Sequence, residues 1–224
     1  MTHCRMLLFC ASLGFTATLS AQNINIIHLK NPSFEDTPRH SRAPTGWKDE
    51  GFEGYSPTDI QPSGDFAVNT KAADGQTYVG MVVRDDETWE CIGQPLDKPL
   101  QADTCYFMSV KLMRCPDYVS VSPLTRQRAN FNKPCVLRVW AGKTNGKGME
   151  LLKETLPIDH EVWKTYDLKL QPGDTYDYLY LEAYHYFGGN EVLPYNGNLL
   201  IDHCSPIVPC SMAESGDDLY QYKK

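Results

Sequence analysis

Short apolar runs rich in Val, Ile, Tyr, Phe and Thr recur along this chain, separated by Gly, Pro, Asn and Asp. That punctuation predicts strands, near residues 24–29, 77–83, 89–94, 104–114, 135–141, 149–156, 163–171, 177–187 and 198–204. No stretch sustains a 3.6-residue apolar period over three turns, so helix is expected to be minor. Asn145-Gly146, Pro172-Gly173 and Asn196-Gly197 supply turns between neighbouring runs. The expected architecture is all-β, an antiparallel β-sandwich or jelly roll of about nine strands.

Two connections are too long to be simple links. Residues 36–76 carry Pro38, Pro44, Pro57 and Pro62 together with Trp47, Phe52, Tyr55 and Phe66. A loop of that length within a compact domain is usually functional or partly ordered, and its aromatic content predicts that it folds against the sandwich. The second, residues 116–134, holds Arg126, Arg128 and Lys133 and reads as a flap. The charges of Arg84, Asp85, Asp86 and Glu90 read as a solvated hairpin tip.

The run 177–187 carries the most chemistry. Strand alternation sets Tyr178, Tyr180, Glu182, Tyr184 and Tyr186 on one face, and Leu179, Leu181, Ala183, His185 and Phe187 on the other. The second set is expected in the core. The first combines ring faces suited to sugar C–H patches with hydroxyls and a carboxylate suited to sugar oxygens. Arg138 and Trp140 alternate likewise against Leu137, Val139 and Ala141 and are expected to share that face. Tyr is also a common sheet residue, so the same stripe reads equally well as a second aromatic layer covered by residues 36–76. His185 and His203 read as hydrogen-bonded structural residues.

The N-terminus adds a compartment. Arg5, the apolar stretch Met6 to Phe15 and the small exit Ser20-Ala21 form a secretory signal, too short to span a bilayer, with cleavage expected after Ala21. The domain is then 22–210, and 211–224 is a polar tail expected to fray. Removing residues 1–21 leaves 20 basic and 28 acidic residues, a net charge of −8. That balance argues against a nucleic-acid partner, which requires a basic face. Cys91, Cys105, Cys115, Cys135, Cys204 and Cys210 remain. An even number in an exported chain favours disulfides, with 15 connectivities open; Cys115–Cys135 and Cys204–Cys210 are the expected pairs. No Cys-x2-Cys occurs to favour zinc.

Asn31-Pro32-Ser33-Phe34-Glu35 near one end and Leu199-Leu200-Ile201-Asp202 near the other resemble the bookends of a galactose-binding-like β-sandwich, the architecture of many carbohydrate-binding modules. Pro44-Thr45-Gly46-Trp47, Gly75 to Gly80 and Trp89 to Leu96 extend the likeness over roughly residues 24–205. The order looks like a subgroup of secreted and outer-envelope proteins of Bacteroidetes-type bacteria, although simple modules lack the 36–76 elaboration. The resemblance implies a binding role and often a structural Ca²⁺ between the opening loop and the last strand. Glu35, Asp74 and Asp202 fall at the matching places, and oxygen ligands suit that ion. The alternative is that Glu35 and Asp202 accept loop amides.

No G-x-S-x-G, H-E-x-x-H, P-loop or G-x-G-x-x-G occurs. The expectation is an exported, non-catalytic envelope protein that binds glycan. A protein-binding envelope module is the alternative, and a polysaccharide-active enzyme using Glu90 and Glu182 is the least favoured reading, since a glycosidase needs only two suitably spaced carboxylates.

Overall fold

The computed structural model describes residues 25–144, 146, 148–188 and 193–214. The expected signal segment, most of the polar tail and Asn145 of one turn lie outside them. The strands are β1 (Lys48–Asp49), β2 (Asp59–Gln61), β3 (Tyr78–Val83), β4 (Cys91–Leu100), β5 (Tyr106–Met113), β6 (Val119–Val121), β7 (Arg128–Asn130), β8 (Lys133–Gly142), β9 (Glu150–Glu154), β10 (Lys164–Leu170), β11 (Tyr176–His185), β12 (Gly197–Asp202) and β13 (Val208–Pro209), followed by one helical turn, Cys210–Glu214.

They form two layers of a sandwich. The first sheet runs β1-β4-β11-β8-β9 and the second β2-β3-β12-β5-β10, with β13 extending the β5 edge and β6–β7 a separate hairpin. A short parallel pairing of Gly197 and Asn198 with Lys133 and Pro134 joins the layers; every other ladder is antiparallel.

The period-2 pattern explains the core. Val79, Met81 and Val83 of β3, Leu137, Val139 and Ala141 of β8, Leu179, Leu181 and Ala183 of β11, and Leu199 and Ile201 of β12 all point between the layers and are buried. A second cluster, including Tyr78, Met113, Tyr118, Phe131 and Leu200, covers the other face of the second sheet. This explains why Leu199-Leu200-Ile201 does not alternate: β12 is central and buried on both faces.

Eight expected strands are present, and five short ones were not anticipated. Residues 24–29 form no strand among the described residues. Ile27 makes one bridge with Ile207, while the His28 and Lys30 amides donate to the side chains of Asp97 (3.0 Å) and Gln94 (2.8 Å). Side-chain acceptors satisfy this segment where a ladder was expected. The 36–76 connection contains β1, β2 and a 3-10 turn at Asp65–Ala67. Trp47 packs on Phe34 at 5.2 Å and donates to Asn31 O, anchoring it. The expected flap 116–134 is the β6–β7 hairpin, seated through buried Tyr118 and Phe131.

Both expected disulfides are replaced by one, Cys105–Cys210, while Cys91, Cys115, Cys135 and Cys204 are free and buried. Cys105 precedes β5 and Cys210 follows β13, and β13 pairs with the start of β5, so the ladder brings these two together. The charged tip is also corrected. Arg84 and Glu90 are 6% and 3% exposed and form a buried ion pair, and Asp85 accepts hydrogen bonds from Ser122 and Asn196.

Candidate functional site

The outer face of the first sheet collects the predicted binding residues. β11 contributes Tyr178, Tyr180, Glu182 and Tyr184, opposite Trp140 and Arg138 of β8 and Gly93 and Cys91 of β4. Tyr180 pairs with Gly93 and Trp140, and Glu182 with Cys91 and Arg138. Two glycines decide how the rings lie. A Cβ at Gly93 would stand 2.6 Å from Tyr178 Cε1 and 3.0 Å from Tyr180 Cδ1, and one at Gly142 would stand 3.0 Å from Tyr180 Cε2. The rings therefore recline onto bare backbone, the use of strand glycine for close approach.

Part of the stripe is covered and part is open. Tyr178 and Tyr180 are 4% and 7% exposed, and Tyr178 OH donates to Glu50 Oε1 at 2.6 Å. Residues 48–55 thus border this face from the β4 side, as the covered-layer reading required. Tyr184 is half-buried; its ring carries the Arg138 guanidinium carbon 3.4 Å from its centroid and touches Trp89 at 4.7 Å. Trp89 in turn contacts exposed Phe52 at 4.8 Å. Tyr186 lies one residue past the end of the strand. β11 ends at His185, so alternation no longer directs Tyr186, which is exposed and lies against Gly188. Phe187 fails the core expectation for the same reason and is 51% exposed. His185 is buried, as expected, its Nε2 facing the carbonyls of Arg84 and Tyr195.

Glu182 is the electrostatic centre of the face. Arg138 Nε donates to Glu154 at 2.6 Å, leaving Nη1 3.9 Å from Glu182 Oε1, an ion pair without a hydrogen bond. Burial pushes the Glu182 carboxyl up to about 7, against the opposing pulls of Arg138 and Trp140. The Trp140 indole favours the charged form yet stays outside hydrogen-bond geometry: Trp140 Nε1 and Glu182 Oε1 are both buried and unpartnered. The two side chains thus lie against each other, with both atoms closed to solvent.

The expected metal residues do not assemble. Glu35 Oε1 accepts the Gln76 and Thr77 amides (2.9 and 3.3 Å). Asp202 Oδ2 accepts those of Ala73 and Asp74 (2.7 and 2.9 Å), and its Oδ1 accepts that of His203 (2.7 Å). Asp74 accepts from Ser33 Oγ at 2.5 Å and sits 3.3 Å from His203 Nδ1. These oxygens are occupied by N–H and O–H donors, and no group of three His, Cys, Asp or Glu among the described residues is arranged to hold a metal ion. The amide partners of Glu35 and Asp202 fit the amide-accepting alternative. Glu90 and Glu182 are not a facing carboxylate pair either, since Glu90 is taken by Arg84 and the Val82 amide.

Sequence reasoning missed Glu50, Trp89 and Glu154 as wall residues, because they come from β4-side and β9 segments far away in the chain. Gly93, inside a strand-like run, was the one available signal of close ring approach.

No protein-family model matches the sequence, and no curated protein matches it. Solved structures do. A family 16 carbohydrate-binding module aligns with 80% of this chain and 98% of its own at 14% identity, TM-score 0.44. The K2 cleaved adhesin domain of Lys-gingipain aligns with 79% of this chain and 96% of its own at 14% identity, TM-score 0.49. An arabinose-bound α-L-arabinofuranosidase aligns with 83% of this chain at 10% identity, TM-score 0.50, and this chain spans 27% of that one. At such identities the last of these is a likeness of fold, in agreement with the sandwich topology.

Proposed function

We propose that this protein binds glycan on the outer face of its first sheet and performs no chemistry on it. The observation that carries the reading is the half-buried aromatic and polar surface of that face, where the Arg138 guanidinium lies on the Tyr184 ring, Trp140 stands beside it, and Trp89 and exposed Phe52 continue it. Sugar sites pair aromatic rings with a few placed polar groups in this way. A signal segment at residues 1–21 supports export to the cell envelope or beyond, and the Cys105–Cys210 bridge is compatible with an oxidising compartment. The test is a glycan array followed by titration calorimetry on each hit, with Trp140→Ala as control. Binding abolished by Trp140→Ala supports the site; an array without hits sinks the reading.

A second reading has its own observation. Phe52, Tyr55, Tyr186 and Phe187 are 39–51% exposed, and aromatic residues are enriched in protein interfaces. An envelope protein partner would be found by crosslinking in intact cells, and its capture should fail with Phe52→Ser, Phe187→Ser.

A further inference from the structure

We propose that an open groove at the far end of the first sheet is a second sugar station, which takes a neutral sugar unit of the same chain that lies on Tyr184 and Trp89; this rests on the glycan reading above. The groove measures about 690 Å³ and is lined by Pro99, Lys143, Thr144, Thr175 and Asp177, a size within the range of small-molecule sites. Sheet pairing builds it. Tyr178 stands opposite Gly142, and Tyr176 opposite Leu100, so the end of β8, the start of β11 and the end of β4 meet there. Hydrogen bonds hold the β8 and β11 walls together. Lys143 Nζ donates to Asp174 Oδ2 at 2.7 Å, and the Thr144 amide donates to Asp177 Oδ1 at 2.7 Å. The Thr175 amide donates to Asp174 Oδ1 at 2.6 Å.

What these walls leave over suits a polyol. The Lys143 ammonium has donors beyond the one given to Asp174, a Thr hydroxyl both donates and accepts, and Asp177 keeps a second carboxylate oxygen. Among the described residues nothing bonds to the Thr144 and Thr175 hydroxyls or to Asp177 Oδ2. Half-buried Pro99 adds an apolar wall for sugar C–H groups. Lys143, the cation of this lining, is neutralised by Asp174. The groove also continues the face already described. β8 carries Arg138, Trp140 and then Lys143 in order, and Trp140 pairs with Leu151 of β9, which is 38% exposed. Apolar surface therefore stays open between the two stations. Asp177 and Tyr184 lie seven residues apart on β11 (177 to 184), roughly 23 Å along the strand. A chain of several sugars reaches both, and a second contact on the same chain raises affinity without strengthening the first.

The experiment is calorimetry with xylo-, manno- and cello-oligosaccharides from two to about eight units, on wild type and Thr175→Trp. The indole fills the groove while the backbone amide bond to Asp174 is kept, and the melting curve reports whether the variant is folded. In at least one series we expect the longest chains to bind wild type at least about tenfold tighter than the disaccharide, and Thr175→Trp to lose most of that advantage. Amide resonances of Thr144, Thr175 and Asp177 should shift when wild type is titrated with the long chain. Affinity that does not grow with chain length, or growth unchanged in folded Thr175→Trp, overturns the second station and leaves glycan binding standing. Absence of binding in all three series overturns the station as well, and the glycan array then decides the reading beneath it.

Discussion

Cys105 and Cys210 stand 105 residues apart in the chain, yet their Cα atoms are 5.4 Å apart and their sulfurs are bonded. The bridge fastens the end of the described chain to the start of β5, next to the β13–β5 pairing. Closing so long a loop restricts the unfolded chain, and native bridges of this kind contribute about 2–4 kcal/mol. Reduction, or Cys105→Ser, is expected to lower the melting temperature. Thiol titration of protein produced without residues 1–21, denatured without reductant, should find the four thiols of Cys91, Cys115, Cys135 and Cys204. Six would refute the bridge, and none would restore a full disulfide framework.

Gly93→Ala should disturb the binding face while leaving the core in place. The new Cβ would meet Tyr178 Cε1 at 2.6 Å, so the ring must lift. Overpacking of this type costs about 1–3 kcal/mol. Near-ultraviolet circular dichroism should report the displaced tyrosines; an unchanged spectrum and midpoint would show that the rings do not rest on Gly93.

Arg84 and Glu90 are sealed together beneath Tyr55 and Ser56. Arg84→Met strands a buried carboxylate and should cost about 3–5 kcal/mol, whereas Arg84→Met, Glu90→Leu should recover most of that loss. Chemical denaturation of both variants checks it. Equal losses in the single and double variants would mean that the ion pair is not what holds this corner.

Stability should fall between about pH 4.5 and pH 7. Burial raises Glu182 to about 7 and Asp202 to about 6, above the usual carboxylate range. The folded state therefore binds more protons than the unfolded state across that window, and stability decreases as pH rises. Asp36, held down to about 2 largely by hydrogen bonds from Thr45 and Thr37, acts in the opposite sense only at lower pH. The denaturation midpoint should drop less from pH 4.5 to pH 7.5 in Glu182→Gln than in wild type. An identical drop would show that Glu182 ionises normally.

Chelator should leave the wild-type melting curve unmoved, because Glu35 and Asp202 already serve as amide acceptors. Asp202→Asn is expected to lose stability with or without calcium, since Asn can present only one acceptor oxygen where Asp202 uses two. A wild-type transition that rises with millimolar calcium and falls with chelator would reinstate the ion.

The periodicity of the sequence determined the all-β class, eight of the long strands and the inward set Leu179, Leu181 and Ala183, because side-chain alternation is a local property of extended backbone. It also determined that Tyr180, Glu182, Arg138 and Trp140 share a face. What the alternation could not carry was where it stops. Tyr186 and Phe187 left the pattern one and two residues past the last ladder pair, His185 with Cys135, where β8 goes over to pairing with β12 through Lys133 and Pro134. The disulfide, the Arg84–Glu90 pair and the covering of Tyr178 by Glu50 were decided by tertiary structure alone. Each joins segments that only sheet pairing or a tight turn brings together, and the burial that makes Arg84 and Glu90 partners rather than surface charges exists only once the second sheet is covered. The calcium residues show the same division. Sequence placed three acids at the matching positions, and the folded loops gave Glu35 and Asp202 backbone amides and Asp74 the Ser33 hydroxyl as partners.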